Sequence, residues 1–245
     1  MIGGAGHLGS SISALVKEFE VLSHNLANVN TVGFKKTANS FSKEMMNQMD
    51  TGPEGMLEAT DIKADDYIDF TQGNLTRTER VLDLAIMGKG FFTIETPDGP
   101  LYTRNGVFNV NNKGQLVDTD GNLVGGVDGP IVVPETISQS QINITEDGLI
   151  QADGKELGKL KLVDFGTDED KLVPIGNSRY VADKNITVND ARSAAVKQGY
   201  QEKSNVNLMD ELVDMMTVSR LYEANMKLLA KKSDTSQSMI DVANG

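Results

Sequence analysis

GFFTIETPDGPLYTRNGVFNVNNKGQLVDTDGNLVGG, residues 90–126, reads as short strands cut by turns. Its apolar runs are too brief for helices, and Asp98-Gly99, Asn105-Gly106, Lys113-Gly114 and Asp120-Gly121 separate them. Asn-Gly and Asp-Gly supply the positive φ that tight hairpin turns demand. Upstream, Leu82, Leu84 and Ile86 alternate with Asp83 and Ala85. Downstream, INITEDGLIQADGKELGKLKLVDF (142–165) repeats the idiom at Asp147-Gly148 and Asp153-Gly154. Turns at this spacing predict an antiparallel all-β module over residues 67–185, not a βαβ sheet.

Both ends carry a different period. Leu8, Ile12, Leu15, Phe19, Leu22, Leu26 and Val29 step alternately by four and three, an unbroken heptad seam. Leu208, Leu212, Met215, Ser219, Tyr222, Met226 and Leu229 step the same way, with one serine in the seam. Two further stripes, Met209, Val213 and Met216, then Val218, Leu221 and Leu228, spread apolar character around much of the C-terminal helix. A helix of that kind is usually covered on several sides. The expected fold class is therefore α+β: long N- and C-terminal helices pairing as a coiled-coil-like stem, with a central antiparallel all-β domain. The expected division is 1–33 (N-terminal axial helix), 34–66 (extended linker), 67–185 (β-rich domain), 186–204 (second linker) and 205–245 (C-terminal axial helix). Asn205 or Asn207 is the expected cap of the last helix, and Gly33 suits a left-handed end to the first.

Composition excludes several functions. Net charge is −12 over 245 residues, which repels nucleic-acid phosphates and anionic lipid alike. No cysteine is present, so disulfides, thiolate nucleophiles and Cys-based metal sites are removed together. No apolar run is long enough to span a bilayer, and the N-terminus lacks the basic and apolar regions of a secretory signal peptide.

Chemical motifs are weak. Gly4-Ala5-Gly6-His7-Leu8-Gly9 spells a dinucleotide fingerprint, but no strand precedes it and no βαβ pattern follows. Asp118-Thr119-Asp120-Gly121-Asn122 resembles the start of a calcium loop with its glycine misplaced; it reads better as a hairpin turn. Asp168-Glu169-Asp170 reads as a solvated acidic loop. His7 and His24 are the only histidines, too few and too far apart for a zinc site or a Ser/His/Asp set. No cofactor, no metal and no catalysis are expected.

Ser23-His24-Asn25-Leu26-Ala27-Asn28-Val29-Asn30-Thr31-Val32-Gly33-Phe34-Lys35 resembles the N-terminal signature of flagellar basal-body rod and hook proteins, with His24 in place of the more usual Asn. Phe70-Thr71-Gln72-Gly73-Asn74-Leu75, Leu82 to Phe92, Tyr102-Thr103-Arg104-Asn105-Gly106 and Leu116-Val117-Asp118 resemble the family's middle signature. Ser204-Asn205-Val206-Asn207, Glu211 to Met215, Arg220 and Tyr222-Glu223-Ala224-Asn225 resemble its C-terminal one. The resemblance implies a structural subunit of the bacterial flagellar rod in the basal body of the cell envelope. It implies export unfolded through the flagellar type III apparatus without a cleaved signal, and a helical filament forming part of the axial drive shaft and export channel. Implied partners are copies of itself, other rod and hook subunits and the export apparatus, with no nucleic acid and no direct membrane insertion. Size and the Gln72-Gly73-Asn74-Leu75 segment point to rod rather than hook proteins. The short chain and the turns at Met226-Lys227-Leu228-Leu229 lean to the proximal over the distal rod type.

The candidate subunit contacts are the seam residues: Leu8, Ile12, Leu15, Phe19, Leu22, Leu26 and Val29 at one end, Leu208, Leu212, Met215, Tyr222, Met226 and Leu229 at the other. Two rival readings stay open. One is a coiled-coil oligomer presenting a β-domain for surface or carbohydrate binding. The other is a hydrolase using acidic residues, for which no focused cluster is visible.

Overall fold

The computed structural model describes residues 3–39 and 66–244, with side chains described for 11–39, 66–138 and 140–231. Most of the expected linker 34–66, and the side chain of Leu8, lie outside the described residues. The described chain divides into two compact units. One holds helix α1 (Gly3–Ala27), the strand pair Thr37–Asn39 and Asp66–Ile68, and helix α2 (Leu208–Asn244). The other holds residues 28–36 and 70–205.

The expected coiled-coil-like stem is overturned. The described residues are mostly β, with eighteen strands, a shorter helix α1 and one long helix α2 of 37 residues. α1 and α2 meet in one small apolar cluster of Leu15, Leu22 and Val218, flanked by Met215 and Leu221. A coiled coil needs both seams to face each other along their length. Here the N-terminal seam meets Val218 and Leu221, which lie off the C-terminal seam, and only Met215 from that seam. Of the latter, Leu208, Leu212, Tyr222 and Met226 are exposed. The polar residues Glu18 and Asn25 are buried on α1 as well.

α2 begins where expected. The Asn207 side-chain oxygen accepts from the Met209 amide at 3.1 Å, and the Asn207 carbonyl accepts from the Glu211 amide. Asp210 and Glu211 add negative charge to the first turn, where the helix dipole favours it. α1 starts earlier than the seam, at Gly3.

In the β unit, strand Phe91–Thr96 is the hub. Its first four residues are all buried. It pairs antiparallel with Gly99–Thr103, with Leu123–Val124 and with Leu162–Asp164. The nine-stranded sheet built on it reaches Val173–Gly176 at one edge and Asn109–Val110 at the other. Beneath lies a core including Leu84, Ile86, Phe92, Ile94, Phe108, Leu116, Val124, Ile150 and Leu160. Phe92 and Phe108 meet edge to face, ring centres 5.1 Å apart.

Several turns follow their dipeptides. Strands Leu149–Ala152 and Lys155–Lys159 are joined through Asp153 and Gly154, both at positive φ, as a two-residue hairpin needs. At the Asp118 turn, one carboxylate oxygen accepts from the Asp120 and Asn122 amides at 2.9 and 2.8 Å. The other faces Arg179, which also pairs with Asp120. Asn105-Gly106 departs from the pattern. It makes no tight hairpin; the chain crosses to strand Leu84–Met87, with the Leu84 amide donating to the Gly106 carbonyl at 2.9 Å. A Cβ on Gly106 would lie 1.9 Å from the Leu84 carbonyl oxygen.

Strand structure continues to residue 202. Ala195–Gln198 pairs with Leu84–Met87, and Tyr200–Glu202 pairs with Leu75–Arg77. Partners so distant in sequence leave no local turn signal.

Replacing Gly106 by Ala should cost about 1–3 kcal/mol through overpacking at the crossing, read as a lowered urea midpoint with unchanged slope. A midpoint equal to that of the unsubstituted chain would mean that the two backbones do not cross so closely.

Candidate assembly site

The structure disperses the candidate contact residues. Leu15, Leu22 and Met215 come together in the α1–α2 cluster. Ile12, Leu26 and Val29 are half-buried and Phe19 is exposed. On α2, Leu208, Leu212, Tyr222 and Met226 are exposed and Leu229 is half-buried. The other stripes of α2 add exposed Met209, Val213, Met216 and Leu228, of which Met209 reaches 67% exposure. This helix therefore shows solvent many large apolar side chains.

Each unit carries a buried polar clamp. In the helical unit, the Asn25 amide is wholly buried near the end of α1. Its Nδ2 donates to the Thr37 carbonyl at 2.8 Å, and its Oδ1 accepts from the Thr37 amide at 3.0 Å. The same Nδ2 lies 3.2 Å from Glu211 Oε2 in the first turn of α2. An amide supplies donor and acceptor together, so one side chain acts as a strand partner for Thr37 and as a donor to Glu211. Neither Ala nor ionised Asp can do both.

In the β unit, the clamp is ionic. The chain turns after α1, with the Thr31 amide bonded to the Asn28 carbonyl at 3.0 Å. Gly33 follows at φ 68, and a Cβ there would sit 2.4 Å from the Asn105 nitrogen; only glycine fits both demands. The Gly33 amide donates to the Glu202 carbonyl at 2.8 Å. Lys35 then enters fully buried. Its Nζ donates to Glu202 Oε1 and to the Thr71 carbonyl, each at 2.6 Å. The same carboxylate oxygen accepts from the Gly73 amide at 2.9 Å. Arg104 approaches Glu202 Oε2 at 3.5 Å, donates to the Gly88 carbonyl at 2.9 Å and stacks over the Phe91 ring. Next to this, Asn205 accepts from the Lys36 amide at 2.7 Å and donates to Thr71.

Two cations thus share one carboxylate, all three side chains being essentially without exposure. Burial lowers the Arg104 guanidinium pKa, an effect opposed by Glu202, Glu169 and Asp164. Burial also pushes the Tyr180 phenol well above its usual range, and Glu202 adds to this while Arg104 opposes it.

These clamps hold segments of the chain together. Among the described residues no group of three His, Asp or Glu is placed to hold a metal, and no helix is long and apolar enough to cross a membrane. The heptad pattern missed the clamps altogether. Asn25, Lys35, Arg104, Asn205 and Glu211 stand inside the signatures quoted above, so motif resemblance was their signal. Glu202 stands outside them, and only its place in a strand ending in a polar passage marks it.

The raised Tyr180 pKa has a consequence for stability. The folded chain keeps this proton beyond the pH of 10.0 at which an ordinary tyrosine loses it. The stability tied to the neutral phenol is whole below pH 10 and drains away as pH rises above it. The melting temperature should therefore fall above pH 10, and less steeply for Tyr180→Phe. Identical pH profiles for the two chains would contradict this.

Three family descriptions match the chain. Residues 7–35 match flagella basal body rod protein, 85–152 match the D1 domain of flagellar hook protein FlgE/F/G, and 197–242 match the C-terminal region of flagellar basal body rod protein FlgEFG. Curated relatives agree over most of their length. The flagellar basal-body rod protein FlgG of Bacillus subtilis is 33% identical over 249 residues, covering 92% of this chain and 93% of its own. FlgG of Caulobacter vibrioides is 32% identical, covering 94% and 95%. The rod protein FlgF of Mesorhizobium japonicum is 30% identical, covering 94% and 93%. With identity of this level spread along nearly the whole sequence, and with signature residues forming both clamps, the chain belongs to the family of flagellar hook and basal-body rod proteins.

Proposed function

We propose that this chain polymerises through the exposed apolar faces of its two helices into part of the flagellar rod. It is a structural subunit of the flagellar basal body, as its relatives are named. The observation that carries the mode of assembly is the surface of α2: Leu208, Met209, Leu212, Val213, Met216, Tyr222, Met226 and Leu228 are all exposed on one helix. A single chain gains nothing from this arrangement, since burying a Leu or Met side chain is worth about 1.5–3 kcal/mol. Neighbouring copies gain that burial. A helix apolar on several stripes cannot be covered by one partner face, and head-to-tail contacts that do not close generate a helical filament. The methionines suit a surface meeting non-equivalent neighbours, because their thioethers adapt to irregular gaps. Ile12, Phe19 and Leu26 of α1 join the contact set, whereas Leu15, Leu22 and Met215 are already used within the chain.

The β unit takes the opposite role. Most of its large apolar residues are buried, in the core beneath the sheet and in the aromatic group around Phe91, so it contributes mainly bulk and shape. Export through the flagellar type III apparatus completes the reading, and the partners are other rod and hook subunits. The role is structural and no reaction is assigned.

Met216→Glu combined with Leu228→Glu alters only exposed positions, so the purified double variant should match the unsubstituted chain in circular dichroism and melting temperature. In cells carrying it as their sole copy, swimming should fall to that of a non-motile control. Normal swimming with a correctly folded variant would overturn the assignment of α2 as the assembly surface.

A further inference from the structure

We propose that Lys35, Arg104 and Glu202 are positioning residues: their buried charges fix the register of the segment 28–36 against the segment 200–205 and are kept for that purpose rather than for stability. The inference rests on the rod-subunit reading and adds to it a device that sets the geometry of the subunit before assembly.

The first argument is energetic. Removing three ions from water is costly, and well-packed apolar residues in their place are often neutral or stabilising. Within it two cations contact one carboxylate, with Glu169 and Asp164 acting on Arg104 as further negative charges. The Arg104 Nε is buried with no hydrogen-bond partner. A site selected for stability alone would be filled with aliphatic side chains, as the core a few residues away is.

The second argument is geometric. The ion pair Lys35–Glu202 joins positions 167 residues apart, and the hydrogen bonds around it run between the same two segments. They are the Gly33 amide to the Glu202 carbonyl and the Lys36 amide to Asn205. If residues 28–36 slipped by one position, Val32 or Phe34 would enter the slot where even a Cβ lies 2.4 Å from the Asn105 nitrogen. In one direction Phe34 would also take the ammonium's place, leaving Glu202 facing a benzene ring. Steric conflict in a loop relaxes by small backbone shifts, whereas an unmatched buried charge has no such relief. The glycine slot rejects a slip in either direction by steric conflict, and the ion cluster rejects the one that brings Phe34 to Glu202; the opposite slip would present Lys36 there and is stopped by the slot.

The helical unit shows the same plan with a milder chemistry: Asn25 of the N-terminal limb meets the buried carboxylate of Glu211 in the C-terminal limb. Each unit thus ties the two limbs of the chain together once, through a buried glutamate on the C-terminal side.

The test uses the full chain with Lys35→Met, Arg104→Met and Glu202→Leu together. Register is read with Lys36→Cys and Asn205→Cys added, since the chain has no cysteine of its own and the Lys36 amide reaches the Asn205 side chain. In the charged background, mild oxidation should cross-link the pair completely. In the apolar background, the chain should melt no lower, yet cross-link in reduced yield and fail to restore swimming to cells lacking their own copy. Full cross-linking and normal swimming in the apolar background would overturn the proposal. If the triple variant does not fold, Lys35→Met with Glu202→Gln, which keeps an acceptor for the Gly73 amide, is judged by the same readings. Failure of the unsubstituted chain to restore swimming would count against the rod-subunit reading instead, so the two failures are distinguishable.

Discussion

A glutamate with no exposure to water, Glu202, is the constraint on which the β unit depends. It sits at the end of a strand paired with Leu75–Arg77, and it must be met by positive charge and amide donors or it would not be there. Lys35, Arg104 and the Gly73 amide meet it. Each comes from a different stretch of chain, so one carboxylate gathers the N-terminal limb, the segment Phe70–Leu75 and the strand turn at Arg104. Asn205 repeats the gathering with neutral groups a few residues on.

This arrangement explains the character of the fold better than the hydrophobic core does. The core of the β unit is ordinary, a set of branched and aromatic side chains packed beneath a sheet whose hub is Phe91–Thr96. Such a core would tolerate many arrangements of the two limbs that leave it. Polar clamps do not, because each hydrogen bond specifies a partner and a direction. The exposed apolar residues of α2 mark the complementary case. Among the described residues they stay exposed, and on the proposed reading other molecules bury them.

The β half was legible in the sequence to the extent that its signals were local. Asp153-Gly154 and Asp120-Gly121 announced hairpins because a two-residue turn is written in the two residues that make it. Asn105-Gly106 carried the same signature and meant something else: its glycine is needed for a close crossing with Leu84. The strands at 195–202 had no local mark, since their partners lie more than a hundred residues earlier. The seams are apolar stripes, but they do not face one another along a stem. A heptad fixes which residues share a side of one helix, not which side of the partner they meet, and of the C-terminal seam only Met215 joins Val218 and Leu221 against α1. The clamp residues could be quoted from family signatures, yet nothing in their spacing said that Lys35 would find Glu202. Ion pairing over 167 residues is a property of the folded topology.

Native-state hydrogen exchange on the isolated full-length chain tests the central claim most directly. The amides of Gly33, Lys36 and Gly73 are all held by the C-terminal limb, through the Glu202 carbonyl, Asn205 and the Glu202 carboxylate. If the clamp organises the unit, these amides exchange only with global unfolding, as slowly as those in the strand Phe91–Thr96. Rapid exchange at these three positions alongside a protected core strand would show the limbs to be loosely held, and would contradict the account.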